Sequence, residues 1–101
     1  MIIITGAVEV RSESREEAVR LGIEHSARSR QEQGCIAHNC FEDTENPGRL
    51  HFFEKWESVA AVKAHFAVRE SGLFIKEIGK LAIGRPEMDV FAAEPVDLTA
   101  T

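Results

Sequence analysis

A carboxylate, an indole and an imidazole are the side chains of this sequence with the clearest chemical potential. Glu54 and Trp56 are two positions apart in a predicted strand, so their side chains lie on one face of the sheet. His65 falls on the inner side of the helix predicted next. If that face meets the helices, burial would raise the pKa of Glu54 unless a cation or a hydrogen bond compensates. A carboxylate or a neutral imidazole in such a layer could remove a proton from a bound molecule, and the carboxylate could also anchor a hydroxyl group of that molecule.

Each of these three side chains also has an ordinary structural explanation. Glu54 could be a structural hydrogen-bond acceptor for the helix that contains His65, and His65 could itself be a hydrogen-bonded core residue. Trp56 could form a flat wall for a ring-shaped ligand or could fill the core, as large aromatic side chains commonly do. The sequence leaves both explanations open.

Further candidates lie near these residues. Phe52, Phe66 and Phe74 would line either a packed core or a cleft, and Asn39 could hydrogen-bond a substrate. His38 is an additional catalytic candidate. Without the strand pairing, the sequence does not show which face of the sheet His38 occupies.

The spacing of histidines and cysteines argues against a metal site. The four histidines form no H-x-H or H-x-x-x-H pair, and the two cysteines form a single C-x4-C pair. Within one extended strand those cysteines would be about 17 Å apart, too far for a disulfide. We therefore predict no bound metal and two free thiols in a reducing compartment.

These side chains must be positioned by alternating strands and helices. Apolar alternation and turn signals predict four strands: Ile2–Val10, Cys35–Asp43, Leu50–Trp56 and Met88–Ala93. Three helical stretches are predicted: one capped by Ser14 and running to about Gln33 before Gly34, one at Val59–Phe66, and one after a break at Glu70–Gly72 that ends before Pro86.

The first helix and the hairpin turn carry the most specific local predictions. The inner stripe of the helix is predicted from small and apolar residues, namely Ala18, Val19, Gly22, Ile23, Ser26 and Ala27. Small side chains there would let the helix approach the sheet closely. Pro47 and Gly48 suit the two central positions of a type II turn, in which Gly48 would take a positive φ.

The element order predicts an α+β, ferredoxin-like βαββαβ fold with a four-stranded antiparallel sheet and helices on one face. The opposite face would carry apolar residues of the third and fourth strands and is too apolar to remain solvated. A second copy packed across a twofold axis would cover it, so we expect a homodimer through the sheet face.

Length and charge restrict the class of protein. The 101 residues suggest one domain, predicted as residues 1–95 with a tail at 96–101. The net charge of −5 and the absence of a basic cluster argue against nucleic-acid binding. There is neither an apolar run long enough to span a membrane nor a signal-peptide pattern, so we expect no membrane association and a cytoplasmic location.

The segment Gly34-Cys35-Ile36-Ala37-His38, followed by Pro47, Phe52-Phe53-Glu54-Lys55-Trp56, His65 and Phe74, resembles the antibiotic biosynthesis monooxygenase family. That family has a loose pattern of G-C-x-x-Y, a turn, E-x-W and a helix that opens with H. The resemblance covers essentially the whole chain in element order, and the matching residues lie between 34 and 74.

The resemblance implies a homodimeric α/β barrel with a hydrophobic cleft for an aromatic substrate. Several members oxidise polyphenols or quinols with dioxygen and use no metal, flavin or haem, so we expect no cofactor. Two family positions differ here: His38 stands in place of a tyrosine, and Glu70 in place of a helix histidine. The first strand also lacks the asparagine of haem-degrading relatives, which argues against haem degradation.

The preferred hypothesis is a cofactor-independent monooxygenase that acts on a phenol or quinol. One alternative is an isomerase of the autoinducer-processing type, which needs a phosphate cradle that only Gly84-Arg85 and Lys76 or Lys80 suggest. Another is a non-catalytic dimeric ligand-binding or stress protein. A closed, fully packed interior would favour the non-catalytic protein, whereas a cleft would favour an enzyme or a ligand binder.

Overall fold

A computed structural model describes residues 1–100 and contains four strands and three α-helices. In chain order these are β1 (Ile2–Glu9), α1 (Arg15–Ser29), β2 (Cys35–Glu42), β3 (Arg49–Trp56), α2 (Val59–Ala67), α3 (Arg69–Leu81) and β4 (Glu87–Ala92). The strands form one antiparallel sheet in the order β2-β3-β1-β4. The predicted ferredoxin-like α+β fold is therefore confirmed.

Strand alternation decides which side chains face the helices. Ile4 pairs with Glu54 across β1 and β3, and His38 pairs with Glu54 across β2 and β3. Leu50 and Trp56 share the parity of Glu54 and are almost fully buried. The helix-facing side of the sheet thus carries two apolar clusters, one around Leu50 and one around Trp56, with Glu54 between them.

The fourth strand differs from the other three because all six of its residues are exposed. Its large apolar residues on both faces, Met88, Val90 and Phe91, each keep more than half of their surface accessible. Past β4, Val96 and Leu98 are also exposed. The predicted tail extends to Thr101, which lies outside the described residues.

Several predicted boundaries are wrong. Ser14 makes no capping hydrogen bond, because it ends a short 3-10 turn at Ser12–Ser14 that precedes α1. Helix α1 ends at Ser29 rather than near Gln33, and Gly34 follows with a φ of 87°. Gly48 does not have the positive φ of a type II turn; a side chain there would instead approach the carbonyl of Val10.

The break between α2 and α3 falls at Val68, not at Gly72. Val68 is extended, and its carbonyl accepts the N–H groups of Ser71 and Gly72, so α3 already begins at Arg69. Gly72 lies inside the helix, where it costs about 1 kcal/mol relative to alanine.

The inner face of α1 is also rotated relative to the prediction. Its buried residues are Ala18, Gly22, His25, Ser26 and Ser29. Ile23, predicted to face inward, is 60% exposed. The close approach predicted for this helix does occur, because a Cβ on Gly22 would lie 2.7 Å from the sulfur of Cys40.

Two further predictions concern the cysteines and membrane association. Cys35 and Cys40 are both free thiols. Among residues 1–100, no helix has the length and apolar character needed to cross a membrane.

Candidate active site

A cavity of about 250 Å³ lies between the sheet and the helices. Its walls are mainly apolar and include Ile4, Val8, Phe52, Phe66, Phe74 and Ile78. Its polar groups are His25, Glu54, His65 and Ser71, with Glu87 near the start of β4. A mostly apolar space with a few convergent polar groups is typical of a small-molecule site.

Glu54 is the carboxylate at the centre of the polar groups. The indole Nε1 of Trp56 donates a hydrogen bond of 2.9 Å to Glu54 Oε1. Burial alone would raise the pKa of Glu54, but the neighbouring His38, the Trp56 hydrogen bond and the charge of His65 together outweigh burial and lower it. The structure thus contains groups that compensate for the burial of Glu54, and they favour its ionised form.

His65 is held by a second carboxylate that the sequence analysis did not identify. Its Nδ1 donates to Glu32 Oε1 over 2.8 Å, since an ionised carboxylate can only accept. Its Nε2 lies 3.9 Å from Glu54 Oε1, and its ring packs on Trp56 with centroids 4.6 Å apart. The Glu32 contact fixes the orientation of the ring and leaves Nε2 as the nitrogen that can accept a proton.

His38 is completely buried beside Glu54. Its Nδ1 lies 2.9 Å from the hydroxyl of Ser26 on α1. Its Nε2 lies 3.4 Å from Glu54 Oε1 without the alignment of a hydrogen bond, and within the described part of the chain it has no other partner. The strand pairing thus places His38 on the face that meets the helices.

His25 is the main site residue that the sequence analysis missed. Its ring stacks parallel to Phe74 at 4.0 Å and lies 4.9 Å from the ring of His38 and 5.4 Å from that of His65. Arg28 donates a 2.6 Å hydrogen bond to His25 Nδ1. Burial, helped by His38, His65 and Arg28, lowers the pKa of His25 to about 3, so the imidazole is neutral near pH 7.

The structure brings together most of the predicted site residues. Glu54 and His65 line the cavity with Phe52, Phe66 and Phe74, and His38 lies behind Glu54. Trp56 is fully buried and packs against Ile4 and Val62, so it supports Glu54 rather than forming a cavity wall. Asn39 pairs with Phe53 in β2 and β3, and its parity places it on the opposite face of the sheet from this cavity.

Three residues of the site gave no usable signal in the sequence. His25 lies off the apolar stripe expected for α1, Glu32 lies in the turn after that helix, and Ser71 lies in a predicted break. Ser71 Oγ is buried at the cavity and, among residues 1–100, has no hydrogen-bond partner. All three reach the site through tertiary packing, which local spacing does not encode.

Sequence comparison identifies a family and one related protein. A family model described as antibiotic biosynthesis monooxygenase matches residues 1–76. An uncharacterised protein from Synechocystis is 28% identical over 90 residues, which are 89% of this chain. The chain spans 61% of the length of that relative.

Comparison with solved structures finds the same fold. A protein from Deinococcus radiodurans, described as a candidate antibiotic biosynthesis monooxygenase, superposes with a TM-score of 0.90 at 23% identity, covering 97% of this chain and 98% of that one. A conserved protein of unknown function from Bacteroides thetaiotaomicron, described as a possible oxidoreductase, gives a TM-score of 0.84 at 27% identity, covering 89% and 94%.

Proposed function

Because the chain belongs to the antibiotic biosynthesis monooxygenase family, we propose that it is a cofactor-independent monooxygenase that oxidises a phenolic or quinol-type small molecule with dioxygen. The observation that carries this proposal is an apolar cavity whose polar groups include a carboxylate-bound histidine, His65. The family supplies the reaction class, and the cavity supports the kind of substrate.

The cavity suits a small, flat, mainly apolar molecule. Its volume of about 250 Å³ is just below the usual range of about 300–1,000 Å³ for drug-sized ligands, so one or two fused rings would fill it. The rings of Phe52 and Phe74, whose centroids are 5.5 Å apart, offer aromatic contacts. Ser71 lines the cavity, and its hydroxyl has no hydrogen-bond partner among residues 1–100, so it is available to bond a substrate oxygen.

His65 is the best-placed proton acceptor. Glu32 orients its ring and would stabilise the imidazolium that forms when Nε2 takes the phenolic proton. Glu54, 3.9 Å from the same Nε2, adds a second negative charge beside that cation. We therefore assign the base role to His65 and a charge-stabilising role to Glu54, whose lowered pKa favours the ionised carboxylate.

The reaction then balances without an added cofactor. The phenolate gives one electron to dioxygen, and the resulting superoxide and phenoxyl radicals combine to form a C–O bond at a ring carbon. Protonation by His65 gives a hydroperoxide. Cleavage of the O–O bond, with loss of the proton on that carbon, yields a quinone and one water, so one oxygen atom enters the product and the other leaves as water. The protein supplies orientation and a site of low polarity.

The test is oxygen uptake by chelator-treated protein with a panel of phenols and quinols. We expect uptake above the autoxidation background for at least one compound that fits the cavity. The matched pair of variants is His65→Gln in the cavity and His51→Gln, whose imidazole bonds Asp43 at the hairpin. No uptake above background by the wild-type protein with any compound would refute the proposal.

Homodimer formation is a second part of the proposal. The exposed apolar residues Met88, Val90 and Phe91 on β4 support a partner that covers this strand, and Pro86 to Met88 also line the cavity. A twofold copy would bury both features. Light scattering coupled to size exclusion should give twice the chain mass, and a single-chain mass at working concentration would contradict it.

Of the two alternatives, the isomerase has less support. Lys76, Lys80 and Arg85 are exposed and lie outside the cavity lining, so they do not cradle a phosphate there. The presence of a cavity also disfavours the fully packed, non-catalytic protein.

A further inference from the structure

Three buried imidazoles meet at one point although no local spacing pairs them. His25 comes from α1, His38 from β2 and His65 from α2. One ligand nitrogen from each lies within 4.8 Å of the others, and all three residues are at most 5% exposed. We propose that His25, His38 and His65, with Glu54 as a fourth donor, form a binding site for one divalent transition-metal ion of the zinc type.

The spacing of the nitrogens is close to what such an ion requires. Zinc–imidazole bonds of about 2.0–2.1 Å in a tetrahedron separate the ligand nitrogens by about 3.3 Å. The nitrogens would need to approach one another by up to about 1.5 Å from their present separations of at most 4.8 Å, a change that side-chain rotations can supply. Glu54 Oε1 lies 3.4 Å from His38 Nε2 and 3.9 Å from His65 Nε2, so a carboxylate oxygen is already beside two of the nitrogens.

The surroundings of two histidines match those of metal ligands. Such histidines usually use one ring nitrogen for the metal and the other for a hydrogen bond that fixes the ring. His38 is bound through Nδ1 to Ser26, and His65 through Nδ1 to Glu32. Both Nε2 atoms therefore remain available, and that of His38 is buried without a hydrogen-bond partner in the described residues.

Charge also permits a dication at this position. Glu32 and Glu54 contribute two negative charges, and Arg28 contributes one positive charge. Imidazole with one carboxylate suits Zn²⁺, Co²⁺, Ni²⁺ and Cu²⁺ rather than Mg²⁺ or Ca²⁺.

Arg28 is the group that the metal must displace. It donates to His25 Nδ1, so in the neutral ring the proton occupies Nε2. If the metal binds His25 through Nδ1, it takes the place of the Arg28 donor. If it binds through Nε2, the ring proton must move to Nδ1, and the hydrogen bond from Arg28 is again lost. Arg28 also lines an outer groove with Glu24, Glu70 and Glu77, which gives it an acidic position to move into. Removing Arg28 should therefore strengthen metal binding.

The experiment is a titration of tag-free, chelator-treated protein with Co²⁺, followed by its visible ligand-field absorption, and then displacement by Zn²⁺. We expect one Co²⁺ per chain and loss of the bands when Zn²⁺ is added. His25→Gln and His65→Gln should each weaken Co²⁺ binding more than about tenfold, whereas Arg28→Gln should strengthen it several-fold. His51→Gln is the matched control and should leave it unchanged.

The proposal is overturned if the wild-type protein forms no one-to-one Co²⁺ complex, or if His51→Gln weakens binding as much as His65→Gln does. Circular dichroism establishes that each variant is folded; if His25→Gln is not, His65→Gln and Arg28→Gln decide the result. This inference does not rest on the proposed oxidation, since oxygen uptake is measured on metal-free protein. Binding of Zn²⁺ should inhibit that uptake, because it occupies His65.

Discussion

Two histidine–carboxylate pairs lie in different parts of the molecule and have almost the same donor–acceptor distance. His65 and Glu32 are joined over 2.8 Å in the interior, and His51 and Asp43 over 2.9 Å at the hairpin. The side chain of His65 is 1% exposed, whereas that of His51 is 41% exposed. The bond itself is the same, so any difference in function must come from the surroundings: exclusion of water, a second carboxylate and further imidazoles in one case, and solvent in the other.

The largest expected effect is a loss of activity, and it should occur for the buried pair but not for the exposed pair. His65→Gln should lower kcat/KM for oxygen uptake by at least about 100-fold, which is the usual contribution of a general base. His51→Gln should leave kcat/KM within about twofold, since a partly solvated pair outside the cavity lining has no part in proton removal. Equal losses in both variants would show that burial does not distinguish the two pairs.

The next effect concerns the donor to the buried carboxylate. Trp56→Phe removes the Nε1–H group that donates to Glu54 and leaves a buried oxygen with one partner fewer. We expect it to lower the free energy of unfolding by about 1–3 kcal/mol, measured by urea denaturation. Lys55→Gln, one position away on the opposite face, should change it by less than about 0.5 kcal/mol. If Trp56→Phe and the wild type had the same urea midpoint, the hydrogen bond from Trp56 to Glu54 would not contribute to stability.

The stability of the fold at acid pH should depend on the buried His25. Its pKa is about 3 in the folded chain, against an ordinary value of 6.5, so between these pH values the unfolded chain binds more protons. The contribution of neutral His25 to stability is therefore complete above about pH 6.5 and is lost as the pH falls toward 3. The slope approaches about 1.4 kcal/mol per pH unit for one proton. Urea denaturation at several pH values should show that the free energy of unfolding falls less steeply with decreasing pH in His25→Gln than in the wild type.

The smallest effect is expected at the exposed pair. The hydrogen bond from His51 lowers the pKa of Asp43, but both groups are solvated and salt screens their attraction. Asp43→Asn should leave the thermal midpoint unchanged at physiological ionic strength. A clear drop in that midpoint would mean that this pair, too, is structurally important.

The sequence predicted the strands and the fold well because these depend on local patterns. Alternation placed Glu54 and Trp56 on one face, and turn residues marked the hairpin. The histidine cluster was not predicted, since its members lie 13 and 27 positions apart in the order 25, 38 and 65 and meet only when α1 and α2 pack on β2 and β3.

His25 shows why such a site is hard to predict. The apolar pattern of α1 favours Ile23 as an inward residue, yet Ile23 is exposed and the helix packs on a stripe that includes His25 and Ser29. The missing information is the rotation of the helix about its axis. That rotation depends on contacts with the sheet, which hydrophobicity alone does not specify.

The close contact between Gly22 and Cys40 decides how α1 is seated. A Cβ at position 22 would lie 2.7 Å from the sulfur, so the two positions share one small volume. A side chain larger than hydrogen at 22 requires the sulfur at 40 to move or a smaller residue to take its place, so related sequences should vary at these two sites in a correlated way. His25 lies one helical turn further along α1. The contact between Gly22 and Cys40 therefore limits how closely the imidazole of His25 approaches those of His38 and His65, although neither residue of the contact has a proposed role in proton transfer.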